Sequence, residues 1–196
     1  MRSVLMALVA LALLGLNAWA SVPDADYCTV APQDGWANPK LVGIPWTGAL
    51  RADGDITIHI AAFGGEPIAN SEVHVVINPA CDGVTSECDA WVNPGYTDAS
   101  GNLTMNLRYG GCCQMDAAAT IYADGRPIRS YTVIVSPDWS GTASDAVVGL
   151  PDFSLLAASY GDIAPCSDFV GGDNSVALAD FSFFAGHYGD NCTVAP

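Results

Sequence analysis

The residues best equipped for chemistry are aspartates in the last third of the chain. Asp138, Asp145 and Asp152 form one series, and Asp168, Asp173 and Asp180 form another, with Asn174 beside the middle member of the second. Oxygen donors at short intervals, closed by a carboxylate at the start of a helix, suit a hard divalent cation, which takes roughly six to eight oxygen ligands. An aspartate at a helix start also caps the exposed amides, so Asp152 and Asp180 have a use with or without an ion.

The two series belong to a duplication. At an offset of 28 residues, ten positions match in one register, among them Asp152-Phe153-Ser154 with Asp180-Phe181-Ser182 and Tyr160-Gly161-Asp162 with Tyr188-Gly189-Asp190. Each unit reads as an acidic loop, a buried valine (Val148, Val176), an aspartate opening a helix, and an apolar stripe. The stripes are Phe153, Leu156, Ala157, Tyr160 and Phe181, Phe184, Ala185, Tyr188, at helical spacing. Tyr-Gly ends each helix.

This layout resembles the dockerin module, a pair of calcium-loop-and-helix repeats related to half of an EF-hand. Its loop pattern is D-x-[ND]-x-D-G-x-[VI]-x-x-x-D. Asp173-Asn174-Ser175-Val176-Ala177-Leu178-Ala179-Asp180 follows the second half, with Asn174, a residue that tolerates the left-handed conformation, in place of glycine. Asp145 to Asp152 follows it less closely, with Ala146 at the turn. The first halves depart further: Asp168 and Asp138 lie farther upstream than the pattern asks, and Val170 and Ser140 stand at the third position. The resemblance implies calcium as the bound ion. It also implies a cohesin-like or other cell-surface protein receptor, and a link to extracellular polysaccharide breakdown. Cohesin binding normally uses polar residues before the helix, whereas Leu150-Pro151 and Leu178-Ala179 are apolar. That edge is expected either to be buried against the rest of the chain or to dock to an unusual receptor.

Upstream the period changes to two. Ile56, Ile58 and Ile60 alternate with polar residues, as do Val73, Val75 and Ile77, and Leu103, Met105 and Leu107. Such runs, punctuated by Gly64-Gly65, Asn78-Pro79 and Asp98 to Gly101, predict half-buried strands. Asp124-Gly125 predicts a hairpin into a strand over Ile128 to Val135. The sequence from Gly65-Glu66-Pro67-Ile68-Ala69-Asn70 through Thr97-Asp98-Ala99-Ser100-Gly101 resembles bacterial immunoglobulin-like domains of surface and adhesin proteins. The expected architecture is mainly β. An immunoglobulin-like antiparallel sandwich over 21–137 precedes a small all-α dockerin-like calcium-loop-and-helix pair over 138–196.

Residues 1–20 carry Arg2, an apolar run from Val4 to Leu16 and the small-x-small sequence Ala18-Trp19-Ala20, which together read as a secretory signal peptide. The expected location is extracellular or at the cell surface. Net charge is -15 with 14% charged residues, so bases are scarce. Clustered cations for nucleic acid or anionic membrane are missing. Seven cysteines in an exported chain suggest disulfides with one thiol left over. Sequence does not fix the pairing. Because they bracket one repeat, Cys166 and Cys192 are the expected pair, and Cys112 and Cys113 should each reach a distant partner. The near-identical segments Asp26 to Pro32 and Asp190 to Pro196 read as similar disulfide-anchored ends.

His59 and His74 fall on the outward phase of strands, and His187 reads as a surface residue. Trp36, Trp46 and Trp91 could stack on a sugar or fill a core. No nucleophile elbow, zinc-protease, phosphate-loop or dinucleotide motif appears. The leading expectation is a secreted, non-catalytic binding or assembly protein. A structural matrix protein with an inward-packed repeat, and a small carbohydrate-binding module or hydrolase, are the rivals.

Overall fold

The computed structural model describes residues 22–45, 55–84, 94–141 and 144–192. The signal-peptide reading, Trp46, Trp91, Cys88 and the end of the second Cys-Thr-Val-Ala-Pro segment lie outside them. The chain is mainly β, with two sheets and two helices among the described residues. Strands β1 (Thr29–Ala31), β3 (Asp55–His59) and β6 (Asn102–Asn106) make a three-stranded sheet in the order β1-β3-β6. Strands β2 (Leu41–Val42), β8 (Arg126–Val135), β7 (Cys112–Ala123), β4 (Glu72–Ile77) and β5 (Gly95–Tyr96) make a five-stranded sheet in that order.

The period-two pattern buries one face of each sheet. Ile56 and Ile58 are buried while Thr57 is exposed, and Val73 and Val75 are buried beside half-buried His74. Both sheets feed one apolar core, in which Val30, Ile56, Ile58 and Met105 meet Val73, Val75, Ile121, Ile128, Tyr131 and Ile134. Asp124 (φ 49°) and Gly125 (φ 75°) form the two-residue hairpin between β7 and β8, with Ala123 opposite Arg126. Both central residues have positive φ, as the twist of a tight hairpin requires.

Two features depart from an all-antiparallel reading. β2 runs parallel to β8, pairing Leu41 with Ile134 and Val42 with Val135. β7 extends back to Cys112 through Cys113-Gln114-Met115-Asp116-Ala117, which shows no clean alternation. Its register slips between Gln114 and Ala119, and Ala117 takes φ 53°, so a bulge replaces the regular pleat there.

The C-terminal helices are α1 (Leu150–Ala158) and α2 (Leu178–His187). They do not form a separate core. Val42 and Val135 from the five-stranded sheet cluster with Val148, Leu156, Phe169, Val176 and Phe184, and Trp36 packs against the same group. Trp36 is half-buried, with part of its side chain packed into this seam. Close backbone approaches tighten this seam. A Cβ on Gly172 (φ 60°) would lie 2.7 Å from Cβ of Trp36, and the Asn38 amide donates to the Gly172 carbonyl at 2.8 Å.

The cysteines correct two expectations. Cys112 bonds Cys166, with Cα atoms 5.7 Å apart, and Cys81 bonds Cys113. The expected Cys166–Cys192 pair is therefore wrong: the loop carrying Cys166 lies over the start of β7 rather than beside the end of its own repeat. Cys192 is disulfide-bonded, but Cys28 is a free, buried thiol, so the two repeated segments are not anchored alike. Burial pushes the Cys28 thiol up. Among the described residues, no helix is long and apolar enough to cross a membrane.

Cys112–Cys166 closes a sequence separation of 54 residues and joins sheet to loop-helix region. Chain-entropy reasoning assigns such a link about 4 kcal/mol. The double variant Cys112→Ala/Cys166→Ala should lose about that much unfolding free energy in a denaturant titration. A loss below about 1 kcal/mol would show that the seam holds without the covalent link.

Candidate metal centre

The first acidic loop leaves β8 through Ser136 and turns beneath the glycines that precede β7. Gly111 donates its amide to the Asp138 carbonyl at 2.7 Å. Gly110 has no room for a side chain, because a Cβ there would run into the Asp138 carboxylate and the Ser144 hydroxyl. Asp138 is fully buried, with Oδ2 bonded to the Ser144 hydroxyl and Oδ1 accepting the Asp145 amide at 3.2 Å. Asp145 is exposed and accepts the Val147 amide at 3.1 Å. Between them Ala146 takes φ 65°, the left-handed turn that the loop pattern expects at this position. Asp152, in the first turn of α1, accepts the Gly149 amide at 2.8 Å and bonds the Trp139 amide.

Asp138, Asp145 and Asp152 each bring one carboxylate oxygen within 4.8 Å of the other two. Two oxygens sharing a calcium ion at about 2.3–2.6 Å cannot be more than about 5 Å apart, and all three satisfy that limit. Burial, followed by the charges of Asp152 and Asp145, raises the Asp138 carboxyl to about 6 against the bonds from Ser144 and Asp145. Burial also raises Asp152, and Asp145 adds to that shift. An oxygen-only donor set of this charge fits calcium better than a softer metal. Here a calcium ion would be held by Asp138, Asp145 and Asp152, with backbone carbonyls or water completing its shell.

The second loop repeats the backbone but solves its charge differently. Asp180 accepts the Ala177 amide at 2.9 Å and the Phe169 amide at 2.7 Å, matching the bonds of Asp152 to Gly149 and Trp139. It also accepts the Val170 amide at 2.9 Å. Asp173 accepts the Ser175 amide at 2.8 Å, as Asp145 accepts that of Val147. Asn174 takes φ 64°, as Ala146 takes 65°. Asp168, fully buried like Asp138, accepts the Asn174 amide at 2.6 Å. Asp168 and Asn174 also meet a group from outside the repeat, the Lys40 ammonium, at 2.7 Å and 3.2 Å. Burial pushes the Asp168 carboxyl up, and Lys40 opposes that shift. The seven expected ligands thus fall into two sets: a convergent carboxylate triad in the first loop, and a second loop closed around a lysine.

Lys40 was invisible to motif reasoning because it lies far from the loop in sequence. The available clue was that it is the only lysine in a strongly acidic chain.

Two surface expectations change. His187 is fully buried, not a surface residue: its Nδ1 lies 2.7 Å from Asp190 Oδ2 and its ring packs on Phe183. The edge before the helices is not buried against the sheets, since Leu150 and Leu178 are 64% and 72% exposed. With Phe153, Phe181, Phe184 and Tyr188 they line an open apolar groove of about 600 Å³. His59 and His74 are half-buried on their strands, bonded to Asn102 and stacked on Tyr122 respectively. Compared with known proteins, the chain matches no family model, no curated sequence and no solved structure.

The raised Asp138 carboxyl carries a stability signature. Without a divalent ion the folded chain holds this proton up to about pH 6, whereas an unfolded aspartate releases it near pH 3.8. The folded state therefore binds more protons in that window, and this group's contribution to stability is lost as pH rises through about 6. In chelator, the melting temperature should rise as pH is lowered through about 6. Asp138→Asn, neutral throughout, should flatten that slope; an unchanged slope would remove Asp138 as its cause.

Proposed function

We propose that this is an exported, non-catalytic binding and assembly protein, in which an immunoglobulin-like sandwich carries a dockerin-like module ordered by calcium. The observation that carries the reading is the convergence of Asp138, Asp145 and Asp152 within 4.8 Å of one another. Gathering three carboxylates is unfavourable until a cation joins them, so ion binding and ordering of the loop are one process. The disulfides Cys81–Cys113 and Cys112–Cys166 suit an oxidising location outside the cytoplasm.

The partner in this reading is a cohesin-like or other cell-surface protein receptor, in a setting such as extracellular polysaccharide degradation. It would meet the groove between α1 and α2, which leaves Leu150, Phe153 and Leu178 exposed beside half-buried Phe181. An inward-packed structural repeat would have covered these side chains. Leu178 instead stands 72% exposed, which favours a binding role over the purely structural one.

Melting the full chain with calcium and with chelator tests the ion. At about 100 times the dissociation constant, linkage adds about 2.7 kcal/mol, which is a rise of roughly 5–10 °C for a chain of this size. Asp145→Asn should abolish most of that rise. A melting temperature unmoved by millimolar calcium would remove the ion from the account. The receptor is tested by binding the full chain to purified surface-protein candidates. Leu150→Asp with Leu178→Asp should abolish binding to any true receptor and leave the calcium-dependent melting rise intact; retained binding would exclude the groove.

A further inference from the structure

We propose that the Lys40 ammonium is the resident cation of the second loop: a charge tethered from outside the repeat that closes the loop to divalent ions. The chain would then take up one such ion, at Asp138, Asp145 and Asp152.

From the middle aspartate onward the two loops share the same landmarks. Each has a buried leading aspartate, a left-handed turn residue, an aspartate folded onto the amide two residues on, and a helix aspartate that caps its own start. The pairing around them is reciprocal. The Val148 amide donates to the Asp190 carbonyl at 2.9 Å, and that of Val176 donates to the Asp162 carbonyl at 3.1 Å. Isolated bridges join Val147 to Asn191 and Ser175 to Ile163. Each loop is thus stitched to the segment that follows the other unit's helix, so what one interior holds is directly comparable with what the other can hold.

In the second interior the occupant is visible. Lys40 Nζ lies 2.7 Å from Asp168 Oδ2, 3.2 Å from the Asp168 carbonyl, 3.2 Å from Asn174 Oδ1 and 3.4 Å from the Pro165 carbonyl. Two side-chain oxygens and two carbonyls around one positive charge is the donor mixture of a calcium loop, here at ammonium distances. Both Lys40 and Asp168 side chains are 0% exposed. An ammonium has three protons to donate, and a buried one is tolerated only when paired and hydrogen-bonded, as this one is.

The other carboxylates of the loop are bonded to its backbone, as their counterparts Asp145 and Asp152 are, and Asp168 Oδ1 is buried with no hydrogen-bond partner of its own. Asp180 spends its oxygens on the amides of Phe169, Val170 and Ala177, and Asp173 holds the Ser175 amide. A divalent ion entering this loop would have to expel the lysine, meet its repulsion on the way, and leave an ammonium buried in an apolar seam. At the first loop, among the described residues, the group set against Asp138 is the Ser144 hydroxyl, which carries no charge.

The occupancy of the second loop stands without the calcium reading above; only the single ion at the first loop rests on it. Calcium titration of the full chain should give one ion per chain, and Lys40→Met, which keeps the stem and removes the charge, should gain one further ion. Because Lys40 is the only lysine, its Nζ resonance in a lysine-labelled sample needs no assignment. It should be protected from exchange in chelator and unmoved by millimolar calcium. Two ions bound to the unaltered chain, or an Nζ signal that becomes solvent-exposed on adding calcium, would overturn the proposal. No ion bound with a protected Nζ signal would sink the calcium reading and leave the lysine in place. If Lys40→Met folds and gains nothing, the loop was never a cation loop and the proposal fails. If it does not fold, the Nζ signal of the unaltered chain decides alone.

Discussion

Carboxylates gathered in a loop repel one another, and this chain gathers them twice with almost no bases to compensate. That constraint orders the C-terminal region. The buried pair between Lys40 and Asp168 meets it in one loop: removing the lysine would leave a buried carboxylate uncompensated, a cost of about 3–5 kcal/mol. In the other loop burial and the neighbouring aspartates raise the Asp138 carboxyl, which favours its neutral form. The same backbone therefore carries two solutions to one electrostatic problem.

The lysine solution also fixes how the parts of the chain meet. Lys40 immediately precedes β2, and β2 pairs in parallel with β8, whose end leads into the first loop. Inserting its side chain between Pro165, Asp168 and Asn174 places Trp36 and Val42 over Phe169, Val176 and Phe184. Cys112–Cys166 secures the opposite side of the same loop. An ion pair, an apolar cluster and a disulfide thus converge on the second unit. For this reason the two helices share a seam with the five-stranded sheet instead of standing apart as a self-contained module.

Much of the local structure was legible because its causes are local. Alternation in Ile56 to Ile60 and Val73 to Ile77 comes from one-sided burial. Asp124-Gly125 has the conformational freedom that a two-residue hairpin needs. The duplication announced both helices, the valines buried at 148 and 176, and the left-handed residue at 146 and 174. What could not be read depends on distant residues. The lysine reaches the second loop across more than a hundred residues, and the partner of Cys166 comes from β7 rather than from its own repeat. The parallel strand at Leu41-Val42 is too short to show a period. His187 looked like a surface residue because helical spacing alone cannot say that Phe183 and Asp190 will enclose it.

The asymmetry between the loops bears on the exposed groove. Its two rims are Leu150 and Leu178, each two residues ahead of the aspartate that caps its helix. Lys40 is bonded to Asp168 and Asn174 in the loop beneath α2, and Asp180 caps that helix through the Ala177 amide. Asp152 belongs to the triad, and the start of α1 inherits whatever charge state that triad has. An ion shared with Asp138 and Asp145 would draw Asp152 toward the loop while its bonds to Gly149 and Trp139 hold the helix start. Phe153 follows directly and touches both Phe181 and Phe184 across the groove, at ring separations of 6.1 Å and 6.0 Å.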